Sequence, residues 1–269
     1  MKPSVYTVRA SSWGALFDCS YRWEGIHLLK MRNVVGLRAA LGTAIHAGTA
    51  VFDQARIDGS GLTADDAAGA FVDTLHDPEN EYNPLADNLS LPDAERIGLV
   101  LLTKYCLEVS PQYEFVAVEM ETKPLEIDCG GGIVVRLTGT MDRARVRKAA
   151  HGVGIADLKS GSSAVQKGAA NTKGHGPQVG TYELLYEHST GDTIGDDAEI
   201  IGLKTKGTPE IASAPLKNAK RAMVGTEETP GLIQFASDMF RSGDFYPNPK
   251  SLLCAETYCP RFATCIFHD

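Results

Sequence analysis

No run in this sequence approaches the roughly 18 apolar residues that a membrane-crossing helix needs, and the opening segment MKPSVYTVRASSWG has none of the apolar stretch of a secretory signal. A membrane partner is therefore not expected, and the expected compartment is the cytoplasm. Internal repeats, low-complexity tracts and a clear interdomain linker are also missing, so the 269 residues are expected to form a single domain. Positive charge is in short supply, with 26 Lys and Arg against 34 Asp and Glu and a formal net charge of −8. That balance argues against a protein that coats nucleic acid through its whole surface, and it leaves room for a local basic groove. With 43% hydrophobic and 22% charged residues there is material for a substantial core, and disorder is not expected.

Apolar and aromatic positions from Ser11 to about Met31 recur at three- and four-residue steps, which predicts an amphipathic helix with a break near Cys19. LRAALGTAIHAGTAVFDQARIDG reads as a second helix ending at Gly59, LTADDAAGAFVDTLHD as a third capped by its Thr, and LPDAERIGLVLLTKYCLEVS as a fourth. Residues 1–110 are thus expected to be mainly helical. From Phe115 the pattern changes to strand-like runs broken by Pro and a triple glycine, as in consecutive hairpins. GVGIADLKSG follows as a short central strand, GPQVGTYELLYEHS as a helix, DAEIIGLKTKG as a strand, and PGLIQFASDMFRSGDF as a last helix opened by Pro. The glycines of QKGAANTKGHGPQ predict a mobile loop. The expected architecture is α/β, with a helical part over 1–110, a core over 111–245 and a cysteine-rich tail over 246–269.

Charge reverses locally in VVRLTGTMDRARVRK, where Arg136, Arg143, Arg145, Arg147 and Lys148 meet one acid, Asp142. By strand parity Arg143, Arg145 and Arg147 share a face and are candidates to track a nucleic-acid backbone; a solvated strand edge is the plainer reading.

GIADLKSG places Asp157 and Lys159 two apart, so on a strand they project together while Leu158 turns the other way. If the strand carrying Asp142 pairs beside it, two carboxylates and one ammonium converge at a sheet edge. Carboxylates with open coordination positions suit a hard cation such as Mg²⁺ or Mn²⁺, and a neighbouring Lys can position a water and stabilise phosphoryl charge. That is chemistry for cutting a phosphodiester; the plain alternative is a surface salt bridge. Just downstream, Gln178 and Tyr182 are four apart and occupy one helical face, offering an amide and a phenol to a phosphate or base.

Taken in order, G-x-x-D in GTMD, D-x-K in DLK and Q-x-x-x-Y in QVGTY resemble the PD-(D/E)XK nuclease superfamily, specifically its RecB-like branch. The resemblance implies a restriction-endonuclease-like central mixed sheet flanked by helices. It implies Asp142 and Asp157 as metal ligands with the backbone carbonyl of Leu158, Lys159 as the catalytic lysine, and Gln178 and Tyr182 as DNA-contacting residues. It further implies a metal-binding His on an N-terminal helix, which LGTAIHAG supplies as His46, among small residues (Gly42, Ala44, Ala47, Gly48) that permit close approach to the sheet. Glu119 and Glu121, in the strand before the hairpin, are candidates to line the site, and a solvated strand face is the plainer reading.

Six cysteines are unevenly spaced. Cys106 and Cys129 are expected to pack as small hydrophobes. Cys254-x4-Cys259-x5-Cys265 in the tail and Cys19 near the start leave an iron-sulfur cluster, a tetrahedral Zn²⁺ and unpaired buried thiols all open; a disulfide framework fits poorly with a cytosolic chain. This arrangement resembles the iron-sulfur subgroup of RecB-like nucleases, namely AddB-type enzymes, the nucleases of CRISPR adaptation and stand-alone phage relatives. It implies a 4Fe-4S cluster on Cys19, Cys254, Cys259 and Cys265, a staple from the first helix to the tail.

The function so implied is a Mg²⁺- or Mn²⁺-dependent DNA exonuclease acting on single-stranded or frayed ends, in recombination, repair or phage DNA processing, leaving a 5'-phosphate and a 3'-hydroxyl. The glycine stretches lack the G-x-x-x-x-G-K-S/T phosphate loop, so unwinding would fall to a helicase or recombination partner. The rival expectation is a non-catalytic DNA-binding or scaffold subunit.

Overall fold

The computed structural model describes residues 3–32, 35–79, 81–83, 86–147 and 152–268; Lys148 lies outside them. The predicted first helix is two, α1 (Trp13–Asp18) and α2 (Ser20–His27), broken where Cys19 is extended at φ −144° and ψ 92°. α3 (Leu37–Asp58) stops as expected at Gly59, whose φ of +62° is the left-handed conformation that terminates helices. α4 (Ala64–Leu75) opens on a capping box in which Thr63 and Asp66 each satisfy the other's backbone N–H. α5 (Leu91–Lys104) is capped by Ser90 and runs on through a π turn over Tyr105–Val109.

Among the described residues the strands form two main sheets and one two-stranded hairpin. The larger has strand order β10-β9-β6-β5-β2, using β2 (Tyr113–Glu121), β5 (Thr140–Arg147), β6 (Val153–Gly161), β9 (Ala198–Lys204) and β10 (Glu210–Leu216). It is mixed, because β6 and β9 are parallel while the other neighbours are antiparallel. A parallel neighbour requires a crossover, and α6 (Gly176–Thr190) supplies it between β6 and β9. The smaller sheet has order β1-β4-β3, from β1 (Ser4–Arg9), β3 (Leu125–Asp128) and β4 (Ile133–Thr138).

Several expectations are corrected here. Residues 1–110 are mainly helical as expected, with one strand the sequence did not suggest, β1, which pairs in parallel with β4. The strands after Phe115 are not a simple series of hairpins: β3 and β4 pair with each other, while β2 skips both to pair with β5 in the other sheet. The chain changes sheets at Gly139, where a side chain would meet the Tyr182 ring at 2.9 Å. The glycine-rich loop holds a two-residue-per-strand hairpin, β7 (Val165–Gln166) and β8 (Ala169–Ala170). A short helix, α7 (Ala219–Val224), precedes α8 (Leu232–Ser242), which begins after Gly231 and so just beyond the proline expected to open it.

One apolar cluster fills the space between α3, α4, α5 and one face of the large sheet, with Leu41, Ile45, Phe71, Leu101, Ala156, Leu158 and Ile201. Another lies between α6 and the opposite face, with Ile155, Val179, Tyr182 and Ile200. A third joins α1, α2 and α8 to the small sheet through Trp13, Trp23, Val135, Leu137 and Phe240. Each large side chain so buried stabilises the fold by about 1.5–3 kcal/mol relative to exposure. The small residues of α3 divide their contacts: a Cβ on Gly42 would lie 2.7 Å from Ser160 Oγ on β6, whereas one on Gly48 would meet α4 at the Ala67 carbonyl, 2.9 Å away. Close approach to the sheet therefore belongs to Gly42, and Gly48 serves helix packing instead. Among the described residues no helix is long and apolar enough to cross a membrane.

Candidate active site

Three acidic residues fall in one row across three neighbouring strands. The β5–β6 pairing ends at Arg143 opposite Ala156, so one further step sets Asp142 opposite Asp157. The β2–β5 register, between Val118 opposite Arg143 and Met120 opposite Met141, sets Glu119 opposite Asp142. Opposed residues on neighbouring strands have their Cβ atoms about 5 Å apart, so the sheet itself brings the carboxylates together.

Asp157 is fully buried. Its Oδ1 accepts a hydrogen bond from Gln178 Nε2 at 3.2 Å, and Lys159 Nζ lies 2.6 Å from its Oδ2. That charged contact is the partner of Oδ2. Burial first, and then the facing Asp142, push the Asp157 carboxyl up to about 7 against the opposing pull of Lys159. Asp142 uses both of its oxygens: Oδ2 accepts from the Leu158 N–H at 2.8 Å, and Oδ1 lies 3.7 Å from His46 Nδ1 on α3. One ligand atom each from His46, Glu119 and Asp142 lie within 4.8 Å of one another. His175, at the start of α6, is held neutral by burial and then by the Lys159 charge, its pKa lowered to about 4.

Of the expected residues, Asp142 contacts the Leu158 main chain and lies near His46, and Asp157 contacts Lys159 and Gln178; the cluster of ligand atoms within 4.8 Å holds His46, Glu119 and Asp142, without Asp157. Gln178 and Tyr182 do share a helical face, with the Gln178 amide also donating to the Tyr182 hydroxyl at 3.1 Å. Both, however, turn inward toward Asp157. The Tyr182 ring is buried among apolar side chains at 4% exposure, too deep for the DNA contact expected of it.

The arginines are placed differently from expectation. Arg143, Arg145 and Arg147 share a face, but the first two are fully buried. Arg143 Nε donates to Asp53 Oδ2 at 2.6 Å, and its other nitrogens reach Thr49 Oγ1, Glu119 Oε1 and the Asp142 carbonyl. Arg145 pairs with Asp196 and Glu199, and the more exposed Arg147 is also paired with Asp196. Burying a guanidinium is tolerable only with such partners, and with them Arg143 and Arg145 lie out of reach of a phosphate backbone.

Of the two glutamates on β2, Glu119 takes a site-lining place: it is a member of the acidic row, with its side chain still 39% exposed. One group escaped sequence reasoning. Asp53, fully buried, accepts from the Tyr105 hydroxyl and the Ser110 hydroxyl, both at 2.6 Å, as well as from Arg143. A signal existed, because His46, Thr49 and Asp53 are spaced i, i+3, i+7 and so share one face of α3.

Cys19, Cys254, Cys259 and Cys265 line one small cavity, together with Tyr21 and Asn248. The tail is tied to the first helices around it: the Asn248 N–H lies 3.4 Å from Cys19 Sγ, the Ser20 hydroxyl donates to the Tyr246 carbonyl, Arg22 to the Tyr258 carbonyl, and Arg261 pairs with Glu24 while covering the Tyr21 ring. Cys106 is buried in the helical core, its thiol pushed up to about 12 by burial, and Cys129 packs at the edge of the small sheet's cluster.

A family model for the PD-(D/E)XK nuclease superfamily matches residues 10–266. Among solved structures, a protein from Eubacterium rectale named "Putative exonuclease" shares this fold with a TM-score of 0.52 and 12% sequence identity, over 91% of this chain and 84% of its own. No curated protein matches the chain.

Proposed function

The chain belongs to the PD-(D/E)XK nuclease superfamily, and from that premise we propose that it is a Mg²⁺- or Mn²⁺-dependent DNA exonuclease that hydrolyses phosphodiester bonds at single-stranded or frayed ends. The observation that carries the reading is the fully buried Asp157 carboxylate, set opposite Asp142 across β5 and β6 with Lys159 Nζ 2.6 Å from its Oδ2. Two facing carboxylates, one of them buried, are costly to keep charged, and a hard cation is the partner their chemistry suits. Asp142, Asp157, His46 and the Leu158 carbonyl would hold the ion. When bound, it supplies neutralising charge to the phosphoryl oxygens and a more acidic water.

The rest falls to the chain's own groups. Lys159, a point charge on a mobile stem, is placed to move from Asp157 Oδ2 to the attacking water or a phosphoryl oxygen. Gln178 holds Asp157 Oδ1 in orientation, and the buried Tyr182 holds Gln178. Asp142 is fixed by the Leu158 N–H, so the two carboxylates are held in place before substrate arrives. The name borne by the Eubacterium rectale structure supports action at ends; the setting we assign is recombination, repair or phage DNA processing, with a helicase or recombination partner to unwind the duplex. The whole of 1–269 is read as one nuclease domain acting in the cytoplasm.

We further assign Cys19, Cys254, Cys259 and Cys265 to a structural 4Fe-4S cluster. Support comes from the four side chains lining one cavity between α1–α2 and the tail, and from thiolates being the usual ligands of such clusters. Iron content per chain after anaerobic purification checks it: Cys259→Ala should lower both iron and melting temperature, and unchanged iron would remove the assignment.

The deciding experiment for the nuclease is degradation of end-labelled single-stranded DNA with Mg²⁺, Mn²⁺ or EDTA, beside Asp157→Ala. Metal-dependent cleavage absent from the variant is expected, and the label pattern gives the polarity. DNA binding without any cleavage would favour a non-catalytic scaffold subunit instead.

A further inference from the structure

Glu119 stands in the middle of β2 with a φ of +44°. For a residue with a Cβ this left-handed conformation is strained, and it persists only where the surroundings impose it. Here the restraint is visible. Arg143 Nη1 donates to Glu119 Oε1 at 3.1 Å, and Arg143 is itself immobilised by Asp53, Thr49 and the Asp142 carbonyl. The charge of Arg143 is already balanced by Asp53 at 2.6 Å, so neutralising the guanidinium does not explain why Glu119 is held there.

The held carboxylate faces Asp142 across the strand pair and shares its neighbourhood with His46, one donor atom from each lying within 4.8 Å. Like charges directly opposed on neighbouring strands destabilise a sheet. A cation between them removes that cost. The Glu119 side chain is 39% exposed, so the position is open to an ion from solvent. Two carboxylate oxygens and one imidazole nitrogen form a donor set that suits Mn²⁺, because the nitrogen is softer than the all-oxygen shells favoured by Mg²⁺ and Ca²⁺.

We propose that Glu119 is a third carboxylate ligand of the divalent cation, and that Arg143 is the positioning residue that fixes it in a strained strand. The proposal rests on the nuclease reading of the same site, and it assigns to that site a ligand outside the D…D-x-K pattern.

Mn²⁺ titrated into the full chain without DNA, followed by the electron paramagnetic resonance of the free ion, tests it on wild type, Glu119→Gln and Glu119→Gly. In parallel, melting temperatures are taken in EDTA. Both variants should bind Mn²⁺ about tenfold or more weakly. Glu119→Gly should melt above wild type in EDTA, because glycine adopts the left-handed backbone freely and removes a charge facing Asp142. Such a chain, more stable and poorer in metal, is what a residue kept for binding at the expense of the fold produces. Unchanged Mn²⁺ affinity in either variant overturns the proposal. Cleavage by Asp157→Ala is scored separately: its survival would sink the nuclease reading, while the Mn²⁺ titrations still decide whether Glu119 is a ligand.

Discussion

Asp142 Oδ2 accepts the main-chain N–H of Leu158 at 2.8 Å, just beyond Arg143 and Ala156, the pair at which β5 and β6 cease to pair. A side-chain oxygen thus takes over from a backbone carbonyl, so the strands can part without leaving a buried donor unsatisfied. The parting makes room for carboxylates at a position that a continuous ladder would fill. Asp142→Asn retains an oxygen for the Leu158 N–H and loses only the charge. It should leave urea stability within about 1 kcal/mol of wild type while lowering cleavage by about a hundredfold or more. Asp142→Ala removes the acceptor as well and should cost about 1–3 kcal/mol. Equal stabilities for the two variants would mean that the hydrogen bond does not hold the strands.

Asp157 should make the metal-free protein respond to pH in the sense opposite to an ordinary carboxylate. Burial and the facing Asp142 raise its pKa to about 7, from about 3.8 in the unfolded chain. The folded state therefore binds the proton more tightly, and the stability this provides is present below pH 4 and lost as pH rises through 7. His175, lowered to about 4, adds stability over the upper part of that range, so the two must be separated by variant. In EDTA, the stability of wild type relative to Asp157→Asn should fall by on the order of 2 kcal/mol between pH 4 and 8. Mn²⁺ at pH 8 should restore the loss in wild type alone. A difference independent of pH would show that Asp157 titrates normally.

Asp53 and Arg143 form a fully buried ion pair at 2.6 Å. Asp53→Ala would strand the guanidinium, as well as the Tyr105 and Ser110 hydroxyls, in the core. A loss of about 3–5 kcal/mol in urea unfolding is expected. Tyr105→Phe removes a single donor and should cost about 1 kcal/mol. If Asp53→Ala costs no more than Tyr105→Phe, the pair is not what fixes α3 to the sheet.

What was legible in the sequence had local causes. The break at Cys19, the stop at Gly59 and the Thr63 cap depend on neighbours within a turn, and spacing alone put Asp157 with Lys159 and Gln178 with Tyr182 on shared faces. What escaped depended on distant partners. β1 is a strand because β4 lies beside it, more than a hundred residues along the chain. The parity argument for Arg143 and Arg145 was sound, but which side of β5 faces α3 is set by tertiary packing, and that side is the interior. That Glu119 joins the acidic row had a related cause: alternation along β2 is disturbed by a bulge at Val116, where the register to β5 shifts between Phe115 and Ala117, and by the left-handed residue itself. No periodicity read from the sequence alone could place it opposite Asp142.

Tyr182 separates two meanings of the Q-x-x-x-Y motif. Its hydroxyl accepts from Gln178, whose amide donates to Asp157, while its ring is buried between α6 and the sheet. If the tyrosine acts through that chain of bonds, Tyr182→Phe loosens the orientation of Asp157 without touching nucleic acid. Turnover at saturating single-stranded DNA should then fall about tenfold, with KM and its dependence on salt unchanged. Loss of a phosphate contact has another signature, a raised KM and a shallower salt slope. Gln178→Ala should repeat the effect of Tyr182→Phe more strongly, and the double variant should be no worse than Gln178→Ala, since the hydroxyl has no route to Asp157 except through the amide. A rise in KM in Tyr182→Phe would instead return the motif to the DNA-contacting role first expected of it.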